Sequence, residues 1–185
     1  MIALLAMSTA SFAATNSNAP TISLTAIVNT SLTVSLSGAT QSWDSANATP
    51  NALTPGAASN AGNAAITATT SWVLQPGHTS VKIYAYFASA AAALTPAVGT
   101  TNIPSSAVEI KVGAGAFTPV SQDNTAAGMG VAGSSLVLKT IAITGANKVS
   151  SDASSLTFNI NLSTLPQLPA DTYTGTLTIQ AQATP

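Results

Sequence analysis

The sequence predicts an all-β protein built as a β-sandwich, and three observations lead there. Apolar and polar residues alternate with period two along almost the whole chain beyond residue 20, whereas the spacing of an amphipathic helix is scarce. The polar members of that alternation are mostly Thr, Ser and Asn, which suits sheets with one wet face. Short alternating runs are separated by turn residues throughout, giving eight or nine strands in a length that fits one domain.

The elements follow in order. Residues 1–14, MIALLAMSTASFAA, combine a short apolar run with small residues and a Ser11-Phe12-Ala13 site. This is the pattern of a secretory signal without its positive n-region, so export is expected, with the mature chain starting near Ala14 or Thr15. The run is too short to span a bilayer, and no later stretch is long enough. Ile22, Leu24, Ala26 and Val28 alternate with Ser23, Thr25 and Ile27; after a break at Asn29-Thr30, Leu32, Val34 and Leu36 alternate in turn. Residues 43–62 read as a surface loop. Ile66, Ala68, Thr70, Trp72 and Leu74 share one strand face.

Pro76-Gly77 then carries the type II turn signature, and a hairpin over residues 72–87 is expected, with Val81, Ile83, Ala85 and Phe87 inward. Residues 88–93 are Ala-rich, a helical turn or a loop. Val108, Ile110 and Val112 lead through Gly113-Ala114-Gly115 to Phe117 and Val120, a second hairpin. Three strands close the chain. The first covers about residues 135–144, with Leu136 and Leu138 inward and Lys139 outward. The second sets Leu156, Phe158, Ile160 and Leu162 inward. The third, residues 172–182, aligns Tyr173, Gly175, Leu177, Ile179 and Ala181. No internal repeat or linker divides the domain.

Composition excludes several function classes. Ala, Ser and Thr fill 86 of the 185 positions, and charged residues are 5%, against about 25% in an ordinary domain. Four Lys, no Arg and a net charge of −1 cannot build a nucleic-acid footprint. No Cys rules out disulfides and thiolate metal sites, and one His rules out a His-rich metal centre. Near-zero net charge and recurrent β-branched residues also separate the chain from a disordered one.

The constellations that could carry chemistry are thin. His78 stands alone in a turn, Asp44, Glu109, Asp123, Asp152 and Asp171 are scattered, and no G-x-S-x-G elbow occurs. Gly113 and Gly115 lie between strands with no following helix, so they form a turn and not a phosphate cradle. The Asn-x-Ser/Thr triplets at Asn29, Asn47 and Asn161 carry no weight in so Ser- and Thr-rich a chain. No catalytic residue, cofactor or metal is expected, and the chain is read as a non-enzyme. Trp43, Trp72, Tyr84 and Tyr86 are candidates for an aromatic carbohydrate platform, against core and sheet-edge packing.

The most telling feature is the pair of chain ends. Residues 21–28 read TISLTAIV, with Asn29 next, and residues 168–184 read LPADTYTGTLTIQAQAT. The pair resembles the pilin subunits of chaperone–usher fimbriae, especially the alpha-type major subunits of the colonisation-factor group. Those open on an I-x-V-T-A-x-V-(D/N)-like donor strand and close on a G-x-Y-x-G strand. Ile22, Leu24, Ala26 and Val28 occupy the donor pattern, Asn29 the D/N position, and Tyr173 and Gly175 the closing motif; Asp171 departs from the family's Gly. Residues 108–117 loosely match the central V-x-V-x-x-G-G region. Spore-coat-U-like secreted domains are a near neighbour whose characteristic cysteines are absent here.

The resemblance implies an Ig-like β-sandwich over residues 31–185 that lacks one strand. Residues 15–30 would be an extension inserted into the groove of a neighbouring subunit, in an extracellular filament exported by the general secretory route of a bacterium. Tyr173, Gly175, Leu177, Ile179 and Ala181 would belong to the acceptor groove. The implied partners are further copies of the chain, a periplasmic chaperone, an outer-membrane usher and host or surface glycans, with no nucleic acid. Two readings of residues 21–28 stay open, a donated strand or the domain's own first strand. The alternative function is a monomeric secreted Ig-like adhesin or carbohydrate-binding module.

Overall fold

The computed structural model describes residues 22–43 and 52–185; residues 1–14, read above as a secretory signal, and Asp44 and Asn47 lie outside them. Eleven strands form among the described residues, all pairings being antiparallel: β1 (Ser31–Leu36), β2 (Asn60–Ala61), β3 (Ile66–Val73), β4 (Ser80–Tyr86), β5 (Thr95–Pro96), β6 (Val108–Val112), β7 (Thr118–Pro119), β8 (Ser135–Ala142), β9 (Val149–Ile160), β10 (Tyr173–Thr174) and β11 (Thr178–Thr184). The larger sheet runs β1-β3-β9-β6-β7, with β2 also on β9; the smaller is β11-β4-β8, and β10 pairs with β5.

The two sheets face each other across a core in three tiers. Ala68, Val108, Ile110, Leu156 and Phe158 of the larger sheet meet Ala85, Phe87 and Leu136 from the smaller one in the middle tier. At one end Trp72, Leu74, Val81 and Ile143 pack together with Leu32, Ala181 and Ala183. At the other end lie Ile103, Ala107, Ile160, Leu162 and Leu168. The alternation read along residues 66–74 and 156–162 supplies these inward faces, because a strand puts every second side chain on one face.

Three expectations are corrected. Residues 72–87 do not make a hairpin: β3 pairs with β1 and β9, whereas β4 pairs with β11 and β8. The Pro76-Gly77 turn, with Gly77 at φ 105°, carries the chain from one sheet to the other. Facing sheets bury Trp72 and Leu74 against Val81, which pairing side by side would not do.

Lys139 does not point outward. A register shift against β4 between Ile83 and Tyr84 leaves an extra residue in β8, and a one-residue slip exchanges the two faces of a strand. Beyond it Ile141 and Ile143 join the core, and Lys139 bridges to Asp152 of the other sheet at 2.6 Å.

The last strand is not continuous either. It divides into β10 and β11 around residues 175–177, and Tyr173 pairs with Pro96 rather than within the main sheet. Residues 88–93 form a loop with no helix. The second hairpin stands as expected, with Glu109 opposite Pro119 and Ile110 opposite Thr118.

The outer face of the smaller sheet is covered by the chain itself. Gln182 Nε2 donates to the Ala127 carbonyl, Gly130 lies against Tyr86 and the Phe87 carbonyl, and Met129 is buried. Tyr84, outward by alternation, is consequently buried, and that burial pushes its phenol pKa up.

Candidate functional site: an open groove between two strand edges

β1 pairs with β3 alone and β11 with β4 alone, so each is the edge of its sheet. The two edges meet at one end, where Leu32 shares a cluster with Ala181 and Ala183. Toward the other end they diverge and leave a groove of about 900 Å³. Leu36 and Gly38 stand on one wall, Leu177 and Ile179 on the other, and Ile66, Leu156 and Phe158 line it between them. The lining is mainly apolar, and it lies between two unpaired strand edges.

The wall that precedes β11 is held in place by local chemistry. The Asp171 carboxylate accepts backbone N–H bonds from Ala97 (3.1 Å), Val98 (3.2 Å), Gly99 (2.7 Å) and Thr172 (2.7 Å). The Gly99 bond leads these in holding the carboxyl below its ordinary value, against the smaller opposing effect of desolvation. Tyr173 Oη donates to the Pro169 carbonyl at 2.9 Å, and its ring packs on the tier of Ile160, Leu162 and Leu168. Burial, with the Asp171 charge second, pushes the Tyr173 phenol up. Gly175 lies so close to the Ala93 carbonyl that no Cβ fits there. The Tyr-x-Gly pair thus sets where the wall bends away from the loop behind it.

Tyr173, Gly175, Leu177 and Ile179 all line the groove. Ala181 does not; it packs at the closed end. Leu36, Trp43 and Phe158 line the groove too. Alternation marks Phe158 as inward and Leu36 as one member of an alternating run, but nothing local shows that the two share a groove.

Residues 22–30 belong to no strand or sheet. Ile22, Leu24 and Val28 are 86%, 90% and 82% exposed, and Ala26 is exposed beside them. Ile27, on the other face of the alternation, is 81% exposed as well. An apolar segment with strand alternation thus lies in solvent, in the same chain as an apolar groove with two open strand edges.

The other candidate residues are not brought together. Trp43 donates Nε1–H to the Asn60 carbonyl at 2.8 Å beside the groove, whereas Trp72 donates to the Asn147 carbonyl at 2.8 Å at the closed end. Tyr86 donates to Gln180 on the outer face of the smaller sheet. The four aromatics make no common platform. Glu109 accepts from Asn159 and Asn161, Asp152 pairs with Lys139, Asp123 accepts from Thr125, and His78 lies at the Pro76-Gly77 turn against the Gln75 carbonyl. Among the described residues no three His, Asp or Glu side chains group as metal ligands, and no helix is long and apolar enough to cross a membrane.

No family model, curated protein or solved structure matches the chain.

Proposed function

We propose that the chain is the structural subunit of an extracellular fimbria-like filament, polymerising as each copy inserts residues 22–28 into the groove of its neighbour. The observation that carries this is the coexistence in one chain of an unpaired apolar segment and an unfilled apolar groove. The sheet order supports it. β1-β3-β9-β6 facing β11-β4 follows the two sheets of an Ig-like sandwich up to the strand that would pair beyond β11. A strand from another copy would supply that place by β-augmentation, its backbone pairing with both edges while Ile22, Leu24, Ala26 and Val28 enter the groove. Each large side chain so buried contributes about 1.5–3 kcal/mol. Donor and acceptor occupy different surfaces, so the contact is heterologous and leads to an open fibre.

The resemblance to chaperone–usher pilins points the same way, with export by the secretory route and a chaperone to shield the groove before assembly. The carbohydrate-module alternative loses support, because the two tryptophans lie apart from each other and from the tyrosines of β4, and both are tied to the backbone. The test is electron microscopy of the concentrated mature protein beside a variant lacking residues 22–28. Filaments from the first and monomers or amorphous aggregate from the second are expected. Equal behaviour of the two would overturn the proposal.

A further inference from the structure

The groove is open at one end and shut at the other, and this fixes which surfaces meet when one copy follows another. β11 runs from Thr178, paired with Tyr86, to Thr184, paired with Ser80. Its Ser80 end is the closed one, where Leu32 packs with Ala181 and Ala183. β1 starts at this closed end, with Ser31 opposite Val73. A segment that pairs antiparallel with β11, as every other strand pair among the described residues does, therefore has its Val28 end at the open mouth. Only Asn29 and Thr30 separate Val28 from Ser31, and the three Cα steps between them span about 11 Å at most. The closed end of the incoming copy must then sit directly on the mouth of the receiving one.

The two ends differ in the sign of their charge, and each carries an apolar feature. Beside the mouth, Val98 is 92% exposed at the tip of the loop held by Asp171. At the closed end is a shallow hollow of about 340 Å³ lined by Thr30, Leu32, Leu74, His78, Ala181 and Ala183. The mouth end carries Asp171 and also Glu109, which follows the Val108–Ile160 pair. Asp123 precedes Asn124, whose side chain bonds Ser135 opposite Tyr86, and so lies toward the same end. The closed end carries Lys148, whose Nζ donates to the His78 carbonyl, and Lys82, opposite Gln182. These are five of the chain's nine charged side chains, and Lys111, two positions from Glu109 on β6, offsets part of the acid at the mouth end.

We infer that successive copies dock end to end, the acidic mouth with Val98 of one against the basic hollow beside Leu32 and Ala183 of the next. This rests on the strand-exchange reading and adds a second contact to it, one that steers the incoming copy and fixes its rotation about the fibre axis.

The chain has no cysteine, which makes the contact measurable. Val98 and Ala183 lie at opposite ends of one molecule, so cysteines placed at both cannot close a disulfide within it. The full chain carrying Val98→Cys and Ala183→Cys, assembled and mildly oxidised, is expected to give a ladder of covalent oligomers on a non-reducing gel. Each single-cysteine variant is expected to stay monomeric on the same gel, because its cysteine faces an unaltered residue of the next copy. Lys82→Glu is expected to slow elongation several-fold at low salt, with the difference gone at high salt. Polymer without a ladder and without an effect of Lys82→Glu overturns the end-to-end contact and leaves strand exchange standing. Absence of any polymer from the unaltered chain overturns both.

Discussion

The two long sides of the molecule are closed in opposite ways. On the β8 side the chain closes the gap itself. Gln122 and Ser135 exchange backbone bonds at 2.6 and 3.2 Å, and Asn124 reaches Ser135 at 2.9 Å. Farther along, Lys139 bridges the sheets to Asp152. On the other side β1 and β11 touch at one end only and expose core side chains between them over the rest. A domain that stitches one side with loop, ladder and ion pair, and leaves the other with two bare strand edges, has one surface open to pairing with a further strand. The difference separates what stabilises a single copy from what joins copies, and substitutions on the two sides are expected to divide accordingly.

The largest effect is expected on the open side. On strand exchange, Leu24→Asp puts a charge into the apolar groove, which costs several kcal/mol. Elongation followed by light scattering should fall at least about 1000-fold, since each 1.4 kcal/mol is a factor of ten. The fold of the single copy should be untouched, because Leu24 is exposed there. Gly175→Ala comes next. A Cβ against the Ala93 carbonyl must displace the groove wall, and strain of this kind costs about 1–3 kcal/mol. A lower denaturant midpoint and slower polymerisation should appear together; loss of stability alone would detach Gly175 from the groove.

On the stitched side the effects should be smaller and confined to stability. Lys139→Met breaks a half-exposed ion pair worth about 1 kcal/mol and should leave polymerisation unchanged. Desolvation by burial is the largest influence on Asp152 and raises it, but the Lys139 and Ser154 hydrogen bonds and the Lys139 charge together outweigh it, so its carboxyl stays below the ordinary 3.8. A lowered folded pKa gives stability that is full above 3.8 and lost as the pH falls through the folded value. The gap in urea midpoint between the native chain and Lys139→Met should therefore narrow in acid, and a constant gap would refute the pairing. The smallest effect has the opposite sign. The buried Thr70 hydroxyl has no hydrogen-bond partner among the described residues. Thr70→Val should raise stability by about 1 kcal/mol, read as a shift in the thermal midpoint without change in assembly.

The stitched and open sides also differ in how legible they were. Inward faces such as Ala68-Thr70-Trp72 and Leu156-Phe158-Ile160 could be read because alternation is local. The arch at Pro76-Gly77 could not, since the same turn serves a hairpin or a crossing between sheets. Lys139 was misread because a bulge leaves no mark on the composition of a strand. On the open side the alternation of residues 172–182 puts Tyr173, Gly175, Leu177 and Ile179 on one face, and all four line the groove. The groove itself could not be read, because β1 and β11 are separated by most of the chain and their failure to pair is not a local property.

The most direct test of strand exchange is competition by the segment itself. A synthetic peptide of residues 21–29, in excess over the full chain, should occupy the groove, halt elongation and leave one-to-one complexes. In those complexes the backbone amides of β11 that β4 leaves unused should be slowed in hydrogen exchange. A peptide with Leu24 replaced by Asp should do neither. Elongation that proceeds unchanged in the native peptide, with β11 amides exchanging as before, would contradict the insertion of residues 22–28 into the groove.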